Sequence, residues 1–250
     1  MKKYIAALFL AIVSISFGSI MVRTEFQNTP SKIYITKKGN IEGITVDIIK
    51  LIEKKSNYKF VYKNTDATLV RIEDDLIKNK IDVYFGMLKN GKREKNIEFI
   101  EPLYDINYIL VTRADNNEDI KNMKELKIIS EKKPVLTLFG SIIEDYLDEL
   151  KIKNEAGAKS VESNFEKILK KRADYFIYHD LAVKYEMKNK RYKDKLKILN
   201  LVIKKDTLWF VVSKKCDEKI KKDIKNSIAN LKKTTEWKEI MNKYRVNAEK

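Results

Sequence analysis

The alternation of hydrophobic and polar positions predicts strands and helices that follow one another along the chain. Apolar runs typical of strands occur at residues 20–24, 33–36, 59–62, 81–85 and 106–112. Between these runs, apolar residues recur every three or four positions, the spacing of one helix face. These helical positions are Ile44, Ile48, Leu51 and Ile52, followed by Leu69, Ile72, Leu76 and Ile77. The first half therefore reads as alternating α and β structure.

The second half continues the alternation. Further strands are predicted at residues 126–130, 135–138, 175–178, 196–201 and 208–212. Helices are predicted after Ser141, over 181–187, over 220–231, and from Thr234 or Thr235 onward. Ser163 and Glu166 have the spacing of a capping box, which predicts a helix start at Ser163. The whole chain is therefore predicted to be an α/β protein.

The N-terminus has the pattern of an export signal. Two lysines precede an apolar run at residues 5–13, and Ser16 and Gly18 place small residues before a cut after Gly18. We therefore expect residues 1–18 to be a cleaved signal peptide and the mature protein to be periplasmic. The alternative is an uncleaved anchor over residues 4–22, which is just long enough to span a bilayer. No cysteine lies near the cut, so no lipoprotein signal is predicted.

The charge composition limits the kinds of macromolecule that the protein is expected to bind. The chain has 52 basic and 36 acidic residues, for a net charge of +16. The basic residues are mostly lysine, and acidic residues are interleaved with them along the chain. We therefore expect a solvated surface and no nucleic-acid partner, with weak attraction to an acidic surface as the alternative.

The sequence lacks the residues and motifs that most common catalytic sites need. The chain has a single histidine, His179, and a single cysteine, Cys216, so a histidine-rich metal site is not expected. The seven glycines form neither a GxGxxG motif nor a phosphate-binding loop, and there is no Gly-x-Ser-x-Gly motif. We expect no metal, no cofactor and no enzymatic activity, with an enzyme that uses carboxylates alone as the alternative that composition leaves open.

The strongest local candidate for chemistry follows the strand at 81–85. Gly86 ends this strand, Asn90 can cap a helix, and Arg93 falls in the first turn of that helix. Arginine presents a planar fork that matches a carboxylate, and the chain has only seven arginines among its 52 basic residues. Arg93 is therefore a candidate anion clamp. The alternative is a surface arginine near a helix start.

The order of segments resembles the bacterial extracellular solute-binding proteins of family 3, the amino-acid-binding components of ABC importers. The resemblance rests on five stretches in the right order, at residues 38–47, 80–94, 99–104, 139–147 and 172–176. It implies the two-lobed type II periplasmic binding protein fold, with two hinge strands joining the lobes. The first lobe would comprise residues 19–110 plus 205–250, and the second residues 111–204. The strands at 104–112 and before Leu208 would form the hinge.

The resemblance also implies a set of ligand contacts. Arg93 falls on the position that binds the ligand's carboxylate, and Gly86, followed by Met87 and Leu88, on the strand end whose carbonyl meets the ligand's amine. Gly140 and Ser141 fall on a loop of the second lobe that offers backbone N–H groups. Two acidic positions of the cleft correspond to Glu25 and to His179, which is followed by Asp180. These nine residues are the predicted ligand site.

Several positions depart from the family pattern. Leu88 and Ile142 replace hydroxyl residues, and the aromatic residue expected after Pro30 corresponds to Ser31 or Lys32. A neutral His179 cannot replace a carboxylate that faces an ammonium group, although Asp180 takes that role if the register slips by one. The ligand could then be an unusual amino acid, a peptide fragment or another small carboxylate.

The resemblance therefore implies a monomeric periplasmic protein that captures a small amino acid or related carboxylate and delivers it to an ABC permease in the inner membrane. Two alternatives stay open at this stage. One is a ligand-sensing subunit of a signalling receptor. The other is a dehydratase on the same fold, with Glu25 or Asp180 as its acid.

Overall fold

The computed structural model describes residues 18–36, 38–63 and 67–244. The predicted signal segment lies outside these ranges except for Gly18. Within them, every helix is too short or too polar to cross a bilayer.

The described part of the first half contains six strands and three helices. In chain order these are β1 Ile20–Thr24, β2 Tyr34–Ile35, β3 Ile41–Glu42, α1 Ile44–Lys54, β4 Tyr58–Tyr62, α2 Leu69–Ile77, β5 Val83–Leu88, α3 Gly91–Glu94 and β6 Ile97–Arg113. β1 runs parallel to β4, and β2 and β3 form an antiparallel hairpin. The predicted helices at Ile44 and Leu69 and the predicted strand at 20–24 are confirmed.

The second half contains four strands and six helices within the described ranges. They are α4 Met123–Lys132, β7 Val135–Thr137, α5 Ile143–Glu149, β8 Asn154–Ala156, α6 Val161–Leu169, β9 Phe176–His179, α7 Asp180–Glu186, β10 Leu196–Ser213, α8 Glu218–Leu231 and α9 Thr235–Tyr244. The predicted α/β class is therefore confirmed.

One mixed sheet of six strands joins the two halves, in the order β5-β10-β6-β9-β7-β8. Its centre is the antiparallel pair β6 and β10, which are 17 and 18 residues long. Their register runs from Ile97 opposite Ser213 to Arg113 opposite Leu196. On one side of this pair, β10 is hydrogen-bonded to the antiparallel strand β5. On the other side, β6 is hydrogen-bonded to the antiparallel strand β9. The two long strands thus connect both ends of the molecule.

The separate strands predicted at 196–201 and 208–212 are parts of the single strand β10. The polar residues between them hid this continuity. Lys204 and Asp206 form a salt bridge of 2.9 Å within the strand, and irregularities around Val202 absorb the change of register. A polar interruption was therefore mistaken for the end of the strand.

Two other local predictions are wrong. Residues 126–130 are helical, because Asn122 caps α4 by accepting from the Glu125 N–H at 3.0 Å. Leu126 and Ser130 of α4 are buried, four residues apart, whereas Ile128 between them is exposed, as on two faces of a helix. The second wrong prediction concerns the start of α6, which is capped by Ser160, whose side chain accepts from the Ser163 N–H at 3.2 Å. Ser163 therefore lies inside the first turn.

Aromatic and aliphatic packing in the core of the first half holds β5, the strand that ends at the predicted site. The ring of Phe85 on β5 lies 5.2 Å from Phe60 and 4.8 Å from Phe210. Each fully buried aromatic side chain of this kind contributes about 1.5–3 kcal/mol of hydrophobic stabilisation. Helix α1 covers the same core with Ile48 and Ile52, which are completely buried. The C-terminal end of β5 is consequently held rigidly.

Candidate functional site

A cavity of about 140 Å³ lies where β5 and β9 end. It is lined by residues from both halves of the chain: Gln27, Thr29, Lys32, Leu69, Gly86, Leu88, Arg93, Ile106, Tyr108, Leu138, Phe139, Gly140, Ser141, Ile142, Tyr178, His179 and Leu208. Six of the nine predicted site residues are in this lining, namely Gly86, Leu88, Arg93, Gly140, Ser141 and His179. Met87, Asp180 and Glu25 are outside it.

Arg93 is held by its own helix and by two acceptors. The Asn90 side chain caps α3 by accepting from the Arg93 N–H at 2.9 Å. The guanidinium donates from Nε and Nη2 to Glu73 Oε1 at 2.9 and 2.8 Å, and from Nη1 to the Leu88 carbonyl at 2.8 Å. Three of its five N–H groups are thus used. With the side chain only 10% exposed, this is a fixed cation at the cavity.

Gly86 is paired with a residue that the sequence reasoning did not place in the site. Its φ of +93° favours glycine, and a Cβ here would lie 2.6 Å from Lys32 Cε. The Lys32 ammonium donates to the Gly86 carbonyl at 2.6 Å and to the Tyr84 hydroxyl at 3.0 Å. The carbonyl that the resemblance reserves for a ligand's amine therefore already accepts from a lysine. The available signal was a lysine where the family has an aromatic residue.

The environment of Lys32 weakens its charge. Burial, and then the nearby charge of Arg93, lower the pKa of Lys32 from 10.5 to about 7. The group is therefore divided between ammonium and amine near neutral pH. A negative charge placed next to it would favour the ammonium form.

His179 lies at the end of β9 and begins α7. Its Nδ1 accepts from the Ala182 N–H at 3.4 Å, as a helix cap. Burial, together with the charge of Lys32, lowers the pKa of His179 to about 3, so the ring is neutral. In a neutral imidazole whose Nδ1 accepts, the proton is on Nε2, which can only donate.

Asp180 is engaged outside the cavity. Its carboxylate accepts from the backbone N–H of Asn107 at 3.2 Å and from the Asn107 side chain at 3.4 Å. It also forms a salt bridge of 3.3 Å with Lys184, one turn along α7. Of the two alternatives for this position, the structure brings His179 to the cavity and turns Asp180 away.

The loop before α5 forms a tight turn. Gly140 has φ +74°, and the backbone N–H of Ser141 donates to the Leu138 carbonyl at 2.9 Å. That amide, predicted to be offered to a ligand, is therefore used by the turn itself. The Ser141 hydroxyl instead meets the Tyr108 hydroxyl; burial raises the pKa of Tyr108, while the bond to Ser141 offsets part of this.

Two predicted residues lie behind the cavity wall. Met87 is only 1% exposed and packs into an apolar cluster with Leu76 and Val211. Glu25 follows β1, is equally buried, and has its Oε1 4.0 Å from Arg71 Nε.

A further contact joins the N-terminal hairpin to α7. The ring of Tyr34 on β2 lies 5.0 Å from the ring of Tyr185, at an interplanar angle of 54°. Elements distant in sequence thus meet through this ring contact.

The described residues thus form an α/β protein with two long connecting strands and a small cavity lined from both halves of the chain. The sequence model of the bacterial extracellular solute-binding proteins, family 3, matches residues 20–247, and the chain belongs to this family.

Two curated relatives come from Bacillus subtilis strain 168. The L-cystine-binding protein TcyK is 28% identical over 39% of this chain and 36% of its own length. The arginine-binding extracellular protein ArtP is 29% identical over 58% of this chain and 56% of its own length. The matched stretches therefore span between about a third and somewhat more than half of these relatives.

Solved structures agree on the fold. The probable amino-acid ABC transporter extracellular-binding protein ytmK from Bacillus subtilis has a TM-score of 0.76 and 18% identity, covering 92% of this chain and 100% of its own. At this identity the likeness establishes the fold alone, and the predicted two-lobed fold is confirmed.

Proposed function

We propose that this protein captures a small amino acid or related carboxylate outside the cytoplasm and delivers it to an ABC importer. The observation that carries the proposal is Arg93 in the cavity lining. Its guanidinium is nearly buried and has two N–H groups without a partner among the described residues. A fixed guanidinium with spare donors suits a carboxylate. TcyK and ArtP, which by name bind L-cystine and arginine, support the amino-acid part of the proposal.

The proposal includes the mechanics of capture. The first lobe comprises residues 19–110 plus 205–250, the second comprises residues 111–204, and β6 and β10 act as the hinge strands. Two continuous strands between the lobes support closure about a hinge. The signal peptide, periplasmic location, monomeric state and absence of enzymatic activity belong to the same proposal.

A thermal-shift screen tests the capture step. The purified protein is heated with each of a panel of amino acids and small carboxylates. A ligand at 100 times its dissociation constant stabilises the folded state by about 2.7 kcal/mol, so a specific solute raises Tm. No Tm shift across the whole panel would contradict the proposal.

Delivery and activity need separate tests. Cross-linking in membranes is expected to capture an importer permease, and capture of a receptor kinase instead would favour the sensing alternative. Incubation with prephenate or arogenate is expected to leave both unchanged. Turnover of either would assign the protein to the dehydratase alternative.

A further inference from the structure

The charged side chains that line the cavity are all basic. Within the described residues, no aspartate or glutamate lines the cavity, whereas Lys32 and Arg93 both do. Glu73, which neutralises part of the Arg93 charge, is not in the lining. A ligand thus meets two cations and no carboxylate.

The Gly86 carbonyl, a backbone acceptor of the lining, already accepts a hydrogen bond. Gly86 contributes its carbonyl, and the Lys32 ammonium lies 2.6 Å from it. A second ammonium group brought to this carbonyl would have to displace Lys32 or lie against it. Like charges this close and this buried repel strongly, since little water screens them.

The neutral groups opposite these cations also favour an acceptor. His179 Nδ1 is engaged by Ala182, so the ring can offer only its Nε2 proton to the cavity. Arg93 has two N–H groups left after its contacts with Glu73 and Leu88. Arginine, this tautomer of histidine and lysine in its charged form all donate. The side-chain acceptors of the lining are neutral oxygens, on Gln27, Thr29, Tyr108, Ser141 and Tyr178, so a ligand's ammonium would find no charged partner.

Taken with the cavity's size, these observations define a ligand class. The volume of about 140 Å³ is close to the ~150 Å³ of an engineered cavity that admits benzene. We propose that the cleft selects a small organic acid without an amino group, such as a hydroxy acid, an oxo acid or a short dicarboxylate. Lys32 occupies the place of the missing ammonium. This inference rests on the proposed solute-binding function and names the substrate class of that same site.

The titration of Lys32 supports the assignment. Burial and Arg93 lower its pKa to about 7, and the groups that face it are Tyr84, Arg93 and the neutral His179. A bound carboxylate would restore the ammonium and take up a proton. A bound ammonium would instead push the lysine toward its neutral form.

Matched ligand pairs provide the test. Isothermal titration calorimetry on the protein, freed of any co-purified ligand, compares L-lactate with L-alanine, succinate with L-aspartate, and 2-oxoglutarate with L-glutamate. A hydroxyl replaces the amino group in the first pair, a hydrogen in the second and a keto oxygen in the third. We expect the amine-free member of the best-binding pair to bind at least about 30-fold more tightly, the factor that an unmatched buried charge produces.

Variants locate the effect. Lys32→Met removes the ammonium and frees the Gly86 carbonyl, and we expect it to shift the preference within the best-binding pair toward the amino acid by at least about tenfold. Lys32→Gln keeps a donor without the charge and provides a second variant should Lys32→Met fail to fold. Lys38→Met, at an exposed position, is the control and is expected to keep the wild-type preference.

Each outcome decides something. Tighter binding of the amino acids by the unaltered protein would overturn this inference and leave the solute-binding function intact. Binding of neither member of any pair, together with no Tm shift in the broader screen, would overturn both. Mass spectrometry of ligand released from freshly purified protein gives an independent readout, and an amine-bearing ligand found there would also overturn the inference.

Discussion

The two sides of the cavity differ in charge. The first face, formed by Lys32, Gly86 and Arg93, carries both charged side chains of the lining. The second face, formed by Phe139, Ser141 and His179, carries none, because burial keeps His179 neutral.

The difference in charge between the two faces suggests that one attracts the ligand and the other encloses it. The cations of the first face supply the electrostatic part of recognition, which acts at a distance and before the cleft is closed. The second face supplies the aromatic ring of Phe139 and the neutral polar groups of Ser141 and His179. These groups act only when they contact the ligand. We therefore expect changes to the first face to decide whether a ligand binds, and changes to the second to decide how firmly it stays.

The largest expected effect comes from Arg93 on the first face. Arg93→Ala should weaken binding of the best carboxylate in the screen by about 2–5 kcal/mol, because the ligand loses its buried charge partner. Titration calorimetry measures the change. The matched control is Arg191→Ala, since Arg191 has its side chain 62% exposed and is absent from the lining. An unchanged dissociation constant for Arg93→Ala would remove the first face from recognition.

The next effect concerns the stability of the free protein and its dependence on pH. Folding lowers the pKa of Lys32 from 10.5 to about 7, so between these values the unfolded chain binds more protons than the folded one. Stability therefore gains up to about 1.4 kcal/mol per pH unit from this group as pH rises from 7 to 9. Below pH 7 the full penalty of the buried charge remains.

Urea unfolding at pH 7, 8 and 9 measures this contribution as the difference between the wild type and Lys32→Met. The difference should change by about 2–3 kcal/mol over this range, in favour of the wild type at high pH. Lys38→Met should follow the wild type throughout. A difference that stays constant with pH would show that Lys32 keeps an ordinary pKa.

A smaller effect is expected where the two faces are brought together. Tyr34→Ala removes the ring contact with Tyr185 and should weaken ligand affinity by about 1–2 kcal/mol, mainly by faster release. Stopped-flow displacement separates the two rates. Tyr34→Phe retains the ring and serves as the control. A slower association rate with unchanged release would place Tyr34 in the approach of the ligand rather than in closure.

The smallest effect is expected on the second face. His179→Ser keeps an oxygen that can cap α7 but removes the Nε2 donor, so binding should weaken by about 0.5–1.5 kcal/mol with little loss of stability. Calorimetry and thermal unfolding measure the two quantities together. A loss as large as that of Arg93→Ala would abolish the distinction between the faces.

The sequence predicts much of the fold because periodicity and caps are local signals. β1 at residues 20–24 and the amphipathic helix α1 follow directly from such signals. The continuity of β10 does not, because Lys204 and Asp206 satisfy each other within a strand that reads as interrupted. Helix α4 was missed because its apolar residues do not form one buried stripe, since Leu126 is buried and Ile128 is exposed, and its Asn122 cap is the local signal that reveals it.

The candidate site was predictable in part for a similar reason. Arg93 could be found because it follows a strand, a glycine and a capping asparagine. Lys32 could not be found in this way, since its role depends on a contact with Gly86 across 54 positions of sequence. The choice between His179 and Asp180 likewise required the register of β9 against β6, which a single sequence does not provide.

The pairing of β10 with β5 has a consequence for how the chain folds during its synthesis. Leu208 lies opposite Leu88, and helices α8 and α9 follow only after that strand. A chain emerging from the ribosome therefore holds the apolar strand β5 without its neighbour until more than a hundred further residues have been made. Folding dominated by such distant pairings is slow. Chaperones that bind exposed apolar strands would thus have a long time in which to bind β5, the strand that later supports the binding cavity.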